Sequence, residues 1–201
     1  MWYTRTMEEK EIAAKDVKIL AIVGMSGSGK SVVVDHLTAK GYPKVYFGGM
    51  IYKEMEKRDI ERTPDGESEK HFREMIRETE GKDWVVRQVI AEAKSLIAAG
   101  QKRIVLDGLY TWTEYKILKK EFPGQMSVLA VVVDKAIRHK RVGSRKDRPF
   151  NTEEIQERDR SEIENLEKGG PIAMADYYLL NNSSVAELTA GVDEVLKKIE
   201  F

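Results

Sequence analysis

Cysteine is absent from this chain of 201 residues. That excludes a disulfide framework, a cysteine-ligated zinc site and a thiol nucleophile, and it fits a reducing compartment, so the expected location is cytoplasmic. An excess of one charge is missing too. The 34 Lys and Arg residues equal the 34 Asp and Glu residues, which gives no support to a nucleic-acid or membrane-surface role. Long apolar runs are lacking: Val128 to Val133 is among the longest, and a bilayer span takes about 20 apolar residues. Met1 to Asp16 carries acids and no apolar centre, so it does not read as a signal peptide. It reads as a short helix, or as an extension before an internal start at Met7. No internal repeat and no Pro/Gly/Ser-rich linker divides the chain. The polar stretch Asp59 to Glu67, with Thr63-Pro64-Asp65-Gly66, reads as a loop between helices. With 41% apolar and 34% charged residues, the chain is expected to form one cored domain over 17–201 after an N-terminal extension over 1–16.

What is present alternates between two periodicities. Short apolar, β-branched runs at Val17–Val23, Lys44–Phe47, Arg103–Leu106, Ser127–Val133 and Tyr177–Leu180 read as strands. Helical patterns fall between them: from the glycine-rich turn through Leu37 to Gly41, then Met50–Lys57, Ser68–Thr79, Asp83–Ala99, Thr113–Phe122, Lys135–Ser144, Thr152–Lys168 and Val185–Ile199. Such alternation implies an α/β three-layer sandwich with a five-stranded parallel sheet.

Between the first strand and the first helix stands Gly24-Met25-Ser26-Gly27-Ser28-Gly29-Lys30-Ser31. This Gly-x-x-x-x-Gly-Lys-Ser pattern is what binding a polyphosphate requires. Glycines let the backbone aim its N–H groups inward, and the new helix presents its positive end to the same anion. Lys30 reaches the outer phosphates and the Ser31 hydroxyl suits magnesium. Gly24, Ser26, Gly27, Ser28, Gly29, Lys30, Ser31 and Val32 are therefore the expected nucleotide contacts, with ATP and Mg2+ as cofactors.

The third strand runs into Asp107, a candidate for the magnesium or the acceptor side of the site, or alternatively a cap for the next helix. Asp134 ends the fourth strand and reads as a helix N-cap. The Asn-Lys-x-Asp run that guanine-selective sites use is absent. Asn181-Asn182 follows the last strand and reads equally as a base-contacting loop or a plain turn. Arg138, Arg141, Arg145 and Arg148 lie in one stretch, the first two on one helical face. They read as a lid, about 141–152, that brings cations to a transferring phosphoryl group; the plainer alternative is an exposed helix laced with salt bridges to Glu153 and Glu157. The acid-rich run Glu153–Glu167 reads as a solvated face. His36, His71 and His139 share no ligand spacing, and Trp84, Met50, Met55 and Met75 read as packing residues. No Ser-His-Asp arrangement is readable.

Taken together, these pieces make the chain resemble the nucleoside monophosphate kinase group of P-loop proteins, closest to dephospho-coenzyme A kinase and its uncharacterised kinase-like relatives. The resemblance runs from about Ile19 onward. It is carried by Gly24–Ser31, Val105-Leu106-Asp107-Gly108, Arg138-His139-Lys140-Arg141 with Arg145, Arg158-Asp159, and Ala175-Asp176-Tyr177-Tyr178-Leu179-Leu180-Asn181. It implies ATP as phosphoryl donor, Arg138 and Asn181 among the nucleotide contacts, and a mobile lid. It also implies an acceptor pocket between the helices of about 50–99 and the Asp107 turn. The acceptor half departs from the pattern. Adenylate kinases carry Asp-Gly-x-Pro-Arg where this chain has Asp107-Gly108-Leu109-Tyr110-Thr111, and Tyr-Arg where it has Tyr52-Lys53. Dephospho-coenzyme A kinases place an aspartate where it has Gly48-Gly49. The expectation is a small-molecule kinase acting on a nucleotide or nucleotide-like acceptor, with Lys30, Asp107, Arg141, Arg145 and Arg148 as catalytic residues and Ser31 and Asp107 on the metal. The partners expected are ATP and that acceptor, with no nucleic acid or membrane, in a monomer or small homo-oligomer. The alternatives are an ATP-binding regulatory protein and an NTPase.

Overall fold

The computed structural model describes residues 16–63, 66–145 and 149–201. Five strands pair in the order β2-β3-β1-β4-β5, every pair parallel: β1 Lys18–Val23, β2 Lys44–Tyr46, β3 Arg103–Asp107, β4 Met126–Val132 and β5 Tyr177–Leu180. The described helices are α1 Lys30–Ala39, α2 Phe47–Lys57, α3 Glu67–Thr79, α4 Trp84–Ala98, α5 Trp112–Glu121, α6 Lys135–Gly143, α7 Thr152–Glu164, α8 Gly169–Ala173 and α9 Val185–Ile199.

β1 lies at the centre because both its faces are apolar. Successive side chains point to opposite faces of a sheet, and here the two sets enter two cores. Ile19, Ala21 and Val23 join Val45, Ile104, Leu106, Val128 and Ala130 under the helices α2 to α5, with Met50, Met55 and Trp84 packed there as expected. Leu20 and Ile22 join Val105, Leu129 and Val131 under α1 and α9, against Val33, Leu37, Leu188 and Val192. Full burial of each Val, Leu or Ile among them stabilises the fold by about 1.5–3 kcal/mol.

Most element ends fall within a residue or two of the sequence reading, and the larger differences lie at two places. The second strand stops at Tyr46, and Phe47 starts α2, where it is buried. The helix expected over Thr152–Lys168 ends at Glu164. Glu167 takes φ 52° and a separate short helix, α8, follows. Its cause is Lys168, which turns inward to a buried carboxylate rather than continuing the exposed face. Asp134 does hold the N-cap position of α6, but its side chain makes no capping bond; its backbone N–H donates to Asn182 Oδ1 at 2.9 Å instead. Most of the expected extension, 1–15, and Arg148 lie outside the described residues. Asp16, the first described residue, bonds Lys102 and Arg103.

Candidate nucleotide site

The carboxyl ends of β1, β3 and β4 converge at the point where the sheet order reverses, which is where ligands bind in open α/β sheets. The loop from Gly24 to Gly29 sits at that edge. Gly27 and Gly29 take φ of 82° and 98°, conformations that cost other residues strain. Space is closed as well: a Cβ on Gly27 would stand 2.5 Å from Val142 Cγ2, and one on Gly29 would stand 2.3 Å from Asn181 Nδ2.

Two neighbours hold the loop from outside. Asn181, buried, donates from its side-chain amide to Ser28 O at 2.7 Å. That contact ties the end of β5 to the loop. Arg138, also buried, donates to Ser26 O at 3.2 Å and forms a two-pronged pair with Asp159 of α7, at 2.5 Å on each prong. His139 adds a 2.8 Å contact to the same carboxylate. Burial pushes the Asp159 carboxyl up, yet the Arg138 and His139 contacts outweigh it and the net shift is downward. Arg138 thus positions the loop; its guanidinium is already committed.

Lys30 folds back on the loop, donating to Gly24 O at 2.7 Å and Met25 O at 3.0 Å. Burial, and next the nearby Lys168, lowers its pKa to about 8; Glu162 and Asp107 oppose them. Asp107 is half-buried at the end of β3. Burial raises its pKa, Lys44 and Lys30 pull it back, and Asp35, one turn beyond Ser31 on α1, pushes it up again. Ser31 is exposed and Val32 packs into the second core. Arg141 is half-buried, with one guanidinium nitrogen unpartnered among the described residues. Arg145 is exposed just beyond α6.

On the acceptor side, Lys53 is drawn off into an ion pair with Glu92. Gly48 cannot be replaced by an acid without displacing Tyr46, whose hydroxyl lies 2.4 Å from a Cβ built there. Tyr46, Tyr52 and Tyr110 cluster by Asp107: the first two rings are 6.3 Å apart, and burial followed by neighbouring tyrosines raises the pKa of Tyr46 and of Tyr110.

The acids of α7 were expected to be solvated, and two are not: Asp159 pairs with Arg138, as above, and Glu162 turns inward. Glu162 is buried; its Oε2 accepts from Ser26 N–H at 3.0 Å and pairs with Lys168 Nζ at 2.9 Å. Neither residue was singled out by the sequence. The available signal was spacing: Asp159 and Glu162 are three apart, one helical face. Lys168 carried no signal, being read as a helix end.

A cradle of backbone amides fits a polyphosphate, and the buried Ser28 hydroxyl, without a partner among the described residues, adds a free polar group to it. Among the described residues no three His, Asp or Glu side chains gather as a metal cage. A hydroxyl with one carboxylate suits magnesium, which relies on few protein ligands beside phosphate oxygens and water.

Loop, sheet order and helical cover define the P-loop kinase fold. Solved structures agree at the level of fold. Dephospho-CoA kinase from Campylobacter jejuni matches with TM-score 0.57 and 15% identity over 92% of this chain and 98% of that one. Shikimate kinase from Acinetobacter baumannii matches with TM-score 0.56 and 19% identity over 94% and 96%. A gluconokinase from Sinorhizobium meliloti matches with TM-score 0.53 and 18% identity over 92% and 96%. No protein-family model matches the chain. Relatives do: UPF0200 proteins of Thermococcus kodakarensis, 32% identical over 90% of this chain and all of the relative, and of Sulfurisphaera tokodaii, 32% identical over 91% and 98%. The chain belongs to the UPF0200 family.

Proposed function

We propose that this chain is a kinase that moves the γ-phosphoryl of Mg-ATP to a nucleotide or nucleotide-like acceptor. The observation that carries the reading is the loop between β1 and α1: two left-handed glycines leading into a helix and a half-buried lysine parked on loop carbonyls. An ammonium held on Gly24 O and Met25 O is in reach of an incoming anion and exchanges weak neutral acceptors for charged ones.

When bound, Mg-ATP supplies the phosphoryl group, its bond to ADP breaking as the acceptor oxygen bonds to phosphorus. The amides of Gly27 to Lys30 and the Lys30 ammonium hold the phosphates. Ser31 and Asp107 would hold the magnesium, which would draw charge from the phosphate oxygens, and Arg141 and Arg145 answer the developing charge. Little covalent chemistry is asked of the protein; positioning and electrostatics supply the rate. The tyrosines beside Asp107 offer flat faces to an acceptor with a ring, and support the nucleotide-like class. The decisive assay incubates the protein with Mg-ATP and a panel of nucleoside monophosphates, nucleosides and dephospho-coenzyme A. Acceptor-dependent ADP formation, abolished by Lys30→Ala, is expected. ADP formation that ignores every acceptor points to an NTPase.

One observation favours a second reading. On the acceptor side, Lys53 is committed to Glu92 and so is not free as a cation for an acceptor phosphate. A regulatory ATP-binding protein would need no such cation, and would bind ATP tightly with no turnover.

A further inference from the structure

One buried ion pair beside the loop has no part in the reaction described above. Glu162 of α7 and Lys168, just ahead of α8, meet at 2.9 Å with side chains 7% and 2% exposed. Ions buried so deeply lose more in hydration than they regain from each other unless further bonds satisfy them. Glu162 finds such a bond on the phosphate loop, accepting from Ser26 N–H at 3.0 Å. Its other oxygen faces Arg158 Nε at 3.5 Å. The Lys168 ammonium lies 4.9 Å from the centre of the Tyr110 ring, in the turn after Asp107. The Lys168 backbone N–H donates to Glu162 O at 3.0 Å, so the break between α7 and α8 is built around the pair. Lys30 also feels both charges, Lys168 pushing its pKa down and Glu162 up. A carboxylate that accepts from a phosphate-loop amide, with two cations on it and the loop lysine beside it, has the surroundings of a phosphate oxygen.

We propose that Glu162 holds the place of the nucleotide's terminal phosphate, and that Lys168 becomes a ligand of that phosphate once it displaces the carboxylate. The proposal rests on the ATP-site reading and adds a phosphate ligand from outside both the loop and the arginine-rich lid. The outer end of the polyphosphate, which Lys30 serves, is where the contest with Glu162 falls. A triphosphate therefore feels it and a diphosphate does not. Binding of ATP breaks the α7 contact with Ser26 N–H, which ties the lid helix to the state of the nucleotide.

The test compares dissociation constants of Mg-ATP and Mg-ADP by calorimetry. Glu162→Asp keeps a counter-charge for Lys168 but shortens the reach to Ser26. It is expected to raise the preference for ATP over ADP about tenfold, the effect of removing one charged competitor. The double variant Glu162→Gln/Lys168→Met leaves no ion of the pair unmatched, so it folds. It is expected to show a preference about tenfold below that of Glu162→Asp, with ADP affinity unchanged within about twofold. Should all three proteins share one ATP-to-ADP ratio while Lys30→Ala destroys binding of both nucleotides, the pair is structural only and the nucleotide site stands without it. Should the unaltered protein bind neither nucleotide, the site reading and this proposal fall together.

Discussion

Lys30 sits where an ammonium is uncomfortable: partly withdrawn from water, near Lys168, and bonded to neutral carbonyls. Its pKa falls from 10.5 to about 8. The folded value lies below the unfolded one, so between about 8 and 10.5 the unfolded chain holds more protons and the nucleotide-free fold gains stability as pH rises. A bound polyphosphate restores the proton. ATP affinity is therefore expected to be flat below pH 8 and to fall by up to about tenfold per pH unit above it, with proton uptake near pH 8. Calorimetry in buffers of different ionisation enthalpy measures that uptake, and Lys30→Arg should remove it. Asp159 makes the opposite case. Its pKa is lowered, so the stability it lends is complete above the ordinary carboxylate value and is lost as pH falls through the lowered one. Asp159→Ala strands the buried Arg138 guanidinium and should cost about 3 kcal/mol in urea denaturation at neutral pH. The difference from the unaltered protein should shrink only in strong acid. Of these residues, Lys30 was legible from its motif. Arg138 was legible as belonging to the site but not in its role, because only the fold brings Asp159 and Ser26 O to it. Lys168 was not legible at all, since its partner lies across a helix break.

At the scale of elements, the sequence located all five strands and most helix bodies, because apolar periodicity records which faces are buried. It failed where a tertiary contact overrides local pattern, at Tyr46–Phe47 and at the α7–α8 break. α7 carries Asp159 and Glu162, the two carboxylates that reach the loop and its arginine. Few of its side chains are buried, Ile155 and Glu162 among them, so it leans on its cap. Asn151 accepts from Glu154 N–H at 2.9 Å while the Glu154 carboxylate accepts from Asn151 N–H at 2.7 Å, a reciprocal capping box. Asn151→Ala should lower stability by about 1 kcal/mol. It should also weaken protection of α7 amides in hydrogen exchange more than that of α9, which buries Leu188, Val192, Val195 and Leu196 in the second core. Equal loss in both helices would mean that α7 does not open on its own.

Across the whole molecule, the two cores lie on opposite faces of one sheet, and the loop edge is where α1, α6, α7 and β5 all meet the same few backbone atoms. Ser26 has its N–H on Glu162 and its C=O on Arg138, and Ser28 has its C=O on Asn181. Ligand bound at that edge is therefore expected to stabilise the domain as a unit. A non-hydrolysable ATP analogue at a hundred times its Kd should add about 2.7 kcal/mol by mass action. For a domain of this length that is roughly 5–10 °C in Tm. A true acceptor, added on top of the saturating analogue, should raise Tm again, and the rise should grow with the logarithm of its concentration. An NTPase or a regulatory protein has no second small-molecule site to fill. A screen in which the analogue shifts Tm but no candidate acceptor adds to it would therefore count against the kinase and leave the nucleotide site in place, whereas a concentration-dependent second shift also identifies the acceptor to carry into the phosphoryl-transfer assay.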